Sequence, residues 1–158
     1  MYMDFFRERF EAYARQEAII WKNRSYLYRD LVAYWQTDKE QLSRLIQEPM
    51  VVALEGDFSP HATTILLCLL ELHCIVVPLS KNAGHHRDTY ENVAEVEAVI
   101  RMGEDDTFLF SATTKKACHP LLTSLKRQGH PGLVFFSSGS TGESKAVVHD
   151  ALPLLMKF

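Results

Sequence analysis

The 158-residue chain carries 17 basic and 20 acidic residues, a net charge of −3, and 47% of it is apolar. That is enough for one domain with a core of its own, and no Pro/Gly/Ser linker or low-complexity tract divides it. The basic residues are scattered, adjacent only at Lys115-Lys116 and Lys126-Arg127. This excludes the concentrated positive charge that non-specific nucleic-acid binding needs.

Three cysteines, Cys68, Cys74 and Cys118, make an odd number without a CxxC pair. They argue against a secreted disulfide framework and for a reduced, cytoplasmic setting. The opening MYMDFFRERF alternates charges and is not a signal peptide. Residues 62–79 are apolar enough to suggest a membrane span, but Glu71, His73 and Pro78 interrupt them. A buried helix followed by a buried strand accounts for the stretch better.

In chain order, Met3, Phe6, Phe10 and Tyr13 recur at three- and four-residue spacing and predict an amphipathic helix behind Asp4. AIIW and YLY around residues 22–25 predict a small hairpin. A second helix follows over residues 29–47, with Leu31, Trp35, Leu42, Leu45 and Ile46 inward and Pro49 as its stop. MVVALE (50–55) is strand-like. Ser59-Pro60 starts a helix that Ile65, Leu66, Leu69, Leu70 and Leu72 carry to His73. CIVVPL (74–79) is the next strand.

Val93, Val96, Val99 and Ile100 predict another helix, ended by Gly103. TFLFSA (107–112) is a strand, and residues 120–127 are a helix closed by Gly129. GLVFFSS (132–138) is a strand running into a Gly/Ser loop, KAVVH (145–149) is a further strand, and Asp150 caps a final helix. The alternation predicts an α/β fold: a largely parallel sheet of βαβ units with helices on both faces, preceded by the N-terminal helix and hairpin.

The chemistry concentrates in FFSSGSTGESKAVVHD (135–150). In a parallel α/β sheet, ligands collect at the carboxyl ends of strands, where this loop begins. Gly139 and Gly142 permit backbone turns that converge N–H groups on an anion. Ser137, Ser138, Ser140 and Thr141 add hydroxyls, and Lys145 adds a positive charge. The ordinary P-loop does not fit, because Glu143 and Ser144 separate the second glycine from the lysine. On residue types alone, a phosphate grip and a plain flexible turn both stand.

The order of elements separates them. FSSGSTGESKAVVH resembles the phosphate-loop signature of adenylate-forming enzymes: acyl-CoA synthetases, peptide-synthetase adenylation domains and firefly-type luciferases. SYLYRDLVAYW (25–35) resembles that family's early "Y-T-Y-x-E-L" segment. VVALEGDFSPHATTILLCLLELHCIVVPL (51–79) resembles its "V-A-L…N-S-P…V-P-L" segment.

The resemblance implies that Ser137, Ser138, Gly139, Ser140, Thr141, Gly142 and Lys145 cradle the β- and γ-phosphates of ATP, with Mg²⁺. A small-molecule carboxylate would attack the α-phosphate. The acyl group would then pass to a thiol, of CoA or of a carrier protein. The loop's part would be electrostatic, offsetting charge on the leaving pyrophosphate.

Departures accompany it. Ser144 stands where the family has proline, and His73-Cys74 where it has a helix-ending glycine. Residues 81–106 match no family motif. The family's adenine-binding segment, ribose-holding aspartate, hinge and catalytic lysine would lie downstream of position 158. Residues 1–158 are therefore read as the N-terminal portion of a large adenylation domain, with no catalytic residue of its own and inactive alone. The alternative is a non-catalytic subunit that acts by associating with another chain, the remainder of an enzyme or a second copy, through an unfinished sheet edge and an exposed apolar helix face.

Other clusters read more plainly. His85-His86 and Cys118-His119 have no zinc spacing, and Glu104-Asp105-Asp106 reads as a solvated connector. No metal site is assigned. Cys68 and Cys74 read as core thiols, and His149 as capping or packing near the last helix rather than transferring protons.

Overall fold

In a computed structural model, the residues described are 3–138 and 144–157, the side chains of His85, Ser138 and Ser144 apart. Helix α1 (Asp4–Ala12) leads to a two-stranded hairpin, β1 (Glu17–Trp21) and β2 (Arg24–Leu27). Its turn is only Lys22-Asn23, both with positive φ, at 49° and 61°. That geometry matches the strands' own twist, so Arg24 and Ser25, expected in the turn, join the strand. Helix α2 (Tyr28–Leu45) begins at once, its entry fixed by Asp30, whose Oδ2 accepts the Leu27 N–H at 2.8 Å.

The main body follows: β3 (Val51–Glu55), α3 (Pro60–Glu71) and β4 (Ile75–Leu79) as the sequence predicts, then a 3-10 turn (Lys81–His86), α4 (Arg87–Val93), β5 (Ala98–Met102) and β6 (Phe108–Ala112). Then come α5 (Pro120–Gln128), β7 (Gly132–Ser138), β8 (Ser144–Asp150) and the short α6 (Leu152–Leu155). The six-stranded sheet has the order β6-β5-β3-β4-β7-β8. Its four inner strands are mutually parallel, and an antiparallel strand lies on each edge.

Every residue of β3 is buried, because helices cover both sides of a parallel sheet. Val52 and Leu54 face the layer of α1, α2 and α3, where Trp35, Leu42, Ile65 and Leu69 are fully buried. Val51 and Ala53 face the opposite layer, with Leu122 and Leu125 of α5. Ser59 caps α3 as expected, its Oγ accepting the Ala62 N–H at 3.1 Å. Gly132 is needed where α5 crosses the sheet: a Cβ there would stand 2.9 Å from a Leu125 methyl and 3.1 Å from Ile75.

Two expectations are corrected. The apolar run Val93–Ile100 is not one helix: α4 ends at Val93, and Ala98–Met102 is a strand. Its apolar residues suit either period, and pairing decides, since β5 docks parallel to β3 and antiparallel to β6 and is buried on both faces. Leu45 is 46% exposed, so the inward stripe of α2 passes from Leu42 to Ile46. Among the described residues, no helix is long and apolar enough to cross a membrane.

Candidate functional site

The Gly/Ser loop joins two antiparallel strands rather than a strand and a helix. β7 and β8 pair from Gly132↔Asp150 to Ser138↔Ser144, and this register sets Ser137 directly opposite Lys145. The loop therefore leaves the carboxyl end of an inner parallel strand, where α/β sheets collect ligands. Of the predicted phosphate-binding residues, the structure brings Ser137 and Lys145 together, both exposed. Gly139, Ser140, Thr141 and Gly142, and the side chain of Ser138, lie outside the described residues. A hydroxyl and an exposed ammonium across one hairpin rung are a donor set suited to an anion.

The base of the hairpin is fastened by Asp150. Its Oδ2 lies 2.8 Å from His130 Nδ1, and its Oδ1 accepts the Leu152 N–H at 3.0 Å. The N-cap of α6 is Ala151 rather than the expected Asp150, which ends β8 and satisfies the first N–H of the helix from one residue earlier. The His149 ring meets the edge of Phe135 at 5.6 Å, with rings inclined at 64°. The pairing Leu133↔His149 puts it on the Phe135 side of the hairpin. That side leaves Phe135 and Val147 each 45% exposed.

Sequence reasoning missed the residues that frame the strand ends beside this hairpin. Glu55 ends β3 with its side chain only 4% exposed, and it holds two guanidinium groups. Arg101 Nε donates to it at 2.8 Å, and Arg87, the first residue of α4, pairs with its other oxygen. Glu55 thereby locks α4 against the sheet, and α4 delivers Tyr90. The Tyr90 ring stacks on Phe136 at 4.2 Å and 24°, and His86 stacks on Tyr90 at 5.7 Å and 21°. The available signal was the spacing of His86 and Tyr90, four residues apart and so on one face of a helix.

The remaining clusters are internal fasteners. Glu104 pairs with Lys22 and Lys81, Asp105 accepts from Thr107, and Asp106 accepts the His61 N–H. Burial would raise the Glu97 carboxyl, but Lys126 and the N–H groups of Val51 and Ala117 outweigh it and hold it low. Burial pushes the Cys68 thiol up, and the Cys74 thiol up to about 11, so neither is an activated nucleophile.

Comparison with solved structures places this architecture. The chain is similar to the N-terminal subdomain of Klebsiella oxytoca NpsA in complex with 3-hydroxyanthranilyl-AMSN, at 20% identity and TM-score 0.65, over 93% of this chain and 39% of that one. An artificially fused NpsA-ThdA adenylation–PCP di-domain from the same organism gives 18% identity and TM-score 0.67, over 93% and 32%. The inhibitor-bound N-terminal domain of FACL13 from Mycobacterium tuberculosis gives 18% identity and TM-score 0.67, over 94% and 44%. No protein-family model and no curated protein matches. The likeness is one of fold: this chain has the architecture of the N-terminal part of adenylate-forming enzymes, and it spans less than half the length of each structure named.

Proposed function

We propose that this chain is the phosphate-holding, N-terminal part of an ATP-dependent carboxylate-activating ligase of the adenylate-forming class. One observation carries the reading: the Gly/Ser loop leaves the carboxyl end of an inner parallel strand, with Ser137 opposite Lys145, on a fold shared with adenylation subdomains. Ser137, Ser138, Gly139, Ser140, Thr141, Gly142 and Lys145 hold the β- and γ-phosphates of ATP. ATP, with Mg²⁺, supplies the electrophilic α-phosphorus and pyrophosphate as leaving group. The chain's own contribution is electrostatic. Backbone N–H groups, hydroxyls and the Lys145 ammonium face the pyrophosphate oxygens and stabilise charge as it builds there. A small carboxylate takes the α-phosphorus to give an acyl-adenylate and pyrophosphate, and the acyl group then passes to a CoA or carrier-protein thiol with release of AMP.

The test is calorimetric titration of the chain with pyrophosphate and with Mg-ATP, beside Lys145→Ala. Binding of both ligands that weakens at least tenfold in the variant supports the reading. A folded chain that binds neither, or a variant that binds as well as wild type, defeats it. A second reading, association with another chain, draws on exposed Phe135 and Val147 on the hairpin and Leu154 and Met156 near its foot. Concentration-dependent sedimentation that disappears in Phe135→Ser would favour it.

A further inference from the structure

The two edges of the six-stranded sheet differ. β8 ends it on one side and carries Lys145, His149 and Asp150. β6 ends it on the other, and its residues, FLFSA, include neither a charge nor a proline. Its register with β5 runs unbroken from Ala98↔Ala112 to Met102↔Phe108, so no bulge turns it aside. Charges, prolines and bulges are the devices by which edge strands refuse a further strand. β6 has none of them, and its Leu109 is 63% exposed.

The rungs to β5 show which backbone groups are left over. Thr113 N–H donates to Glu97 O at 2.8 Å and Gly103 N–H to Thr107 O at 2.7 Å, one rung just beyond each end of the ladder. Hydrogen-bonded and open pairs alternate along an antiparallel ladder, so Leu109 and Ser111 complete the set that turns to β5. Phe108, Phe110 and Ala112 therefore turn their N–H and C=O groups outward. Among the described residues, β6 has no second partner strand.

We infer that β6 is an interface for a second copy of this chain, whose own β6 adds antiparallel about a two-fold axis at Phe110. Such an interface matches one patch to itself. Phe110 lies opposite the partner's Phe110, and Phe108 opposite the partner's Ala112, a large side chain against a small one. All three outward residues of each copy then meet outward residues of the other. Phe108 and Phe110 rest on the core under the helices. Leu109 is on the opposite face, within diagonal reach of the partner's Leu109.

Charge favours this direction and this partner. Asp105 and Lys115 are exposed and equally far along the chain from Phe110, on either side. Asp105 accepts from Thr107 and Lys115 donates to Asn92, and among the described residues neither is in an ion pair. Antiparallel pairing brings each Asp105 towards the partner's Lys115, whereas parallel pairing would set like charges side by side. The inference does not rest on the ligase reading, because β6 is at the edge of the sheet opposite the Gly/Ser hairpin.

The test is sedimentation equilibrium of the whole chain. A patch this small makes a weak dimer, so the concentration is carried to about 1 mM. Ala112→Pro removes an outward N–H and breaks no rung to β5, and Leu109→Lys puts a charge on the exposed face. Phe135→Ser, on the opposite edge, is the control. The wild type should dimerise, with a dissociation constant that rises at least tenfold in each edge variant and stays unchanged in Phe135→Ser. Lys115→Glu should weaken the dimer too. Exchange of the Phe108, Phe110 and Ala112 amide protons should slow as concentration rises. That measurement needs no variant, so it decides the matter even where Ala112→Pro fails to fold. A chain monomeric throughout, a dimer indifferent to both edge variants, or exchange at these amides independent of concentration overturns the proposal. A dimer lost in Phe135→Ser alone overturns it as well, and puts association at the hairpin.

Discussion

The face under α1, α2 and α3 and the hairpin β7–β8 treat their side chains in opposite ways. Under the helices, polar groups are enclosed with partners. The Glu71 side chain, 8% exposed, receives Arg7 at 2.7 Å, Lys39 at 2.7 Å and the Trp35 indole N–H at 3.1 Å. Asp38, 2% exposed, receives the Thr64 hydroxyl at 2.5 Å and lies 3.0 Å from His61 Nδ1, whose ring stacks on Tyr34 at 4.1 Å. On the hairpin the pattern reverses: Phe135 and Val147 stand half in solvent, and Lys145 is exposed opposite Ser137. Enclosed polar networks fix one arrangement of elements, whereas uncovered rings and an exposed ammonium are what a ligand or partner can use. Enclosed networks and exposed side chains occupy different parts of the molecule.

The sharpest test of that division is on the enclosed side. Trp35→Ala removes a fully buried ring and a donor to Glu71, and it should cost about 3–5 kcal/mol in denaturant unfolding. Asp38→Ala removes the acceptor of the His61 ring and the nearest of three acceptors of the Thr64 hydroxyl, and about 2 kcal/mol should be lost. Either variant unfolding at the wild-type midpoint would break the comparison.

A pH effect sharpens it. The hydrogen bond to Asp38 raises the folded-state pKa of His61 above its ordinary value, although burial opposes it. The folded chain then holds the proton more tightly than the unfolded one. The resulting stability is full below the unfolded histidine pKa of about 6.5 and fades as pH rises through the higher folded value. His61→Gln should flatten this dependence in unfolding midpoints taken on either side of that window. Glu71 has the opposite sign. Burial would raise it, but Lys39 and Arg7 outweigh this and hold it below the usual carboxylate range. Its contribution is present above the unfolded carboxylate pKa and is lost as pH falls through the folded value, so Glu71→Gln should lessen the loss of stability in acid.

The smallest effect belongs to the hairpin. Val147→Thr should shift stability by no more than about 0.5 kcal/mol, because the side chain is only half covered. A loss comparable to that of Asp38→Ala would show that this face is part of the core.

Much of the fold was legible in the residues. Ser59-Pro60 marked the start of α3, and the unbroken apolar runs of β3 and β4 marked strands covered on both faces. The loop FFSSGSTGESKAVVHD showed its glycines, hydroxyls and lysine at once, because the residues of one loop are consecutive in the chain. The run Val93–Ile100 was illegible for a physical reason. Its apolar residues fit a helical period and a buried strand equally, and only the β3 and β6 edges choose between them.

By itself, then, the sequence determined the alternation of elements, the hairpin with its loop and the place of Lys145, all set by short-range pattern and turn chemistry. Only the tertiary structure decided that Ser137 faces Lys145, that Glu55 gathers Arg87 and Arg101 across 46 residues of chain, and that His86, Tyr90 and Phe136 form one stack. These are contacts between elements far apart in the chain. They follow from strand order and from where β4 and β7 part, which no local run of residues encodes.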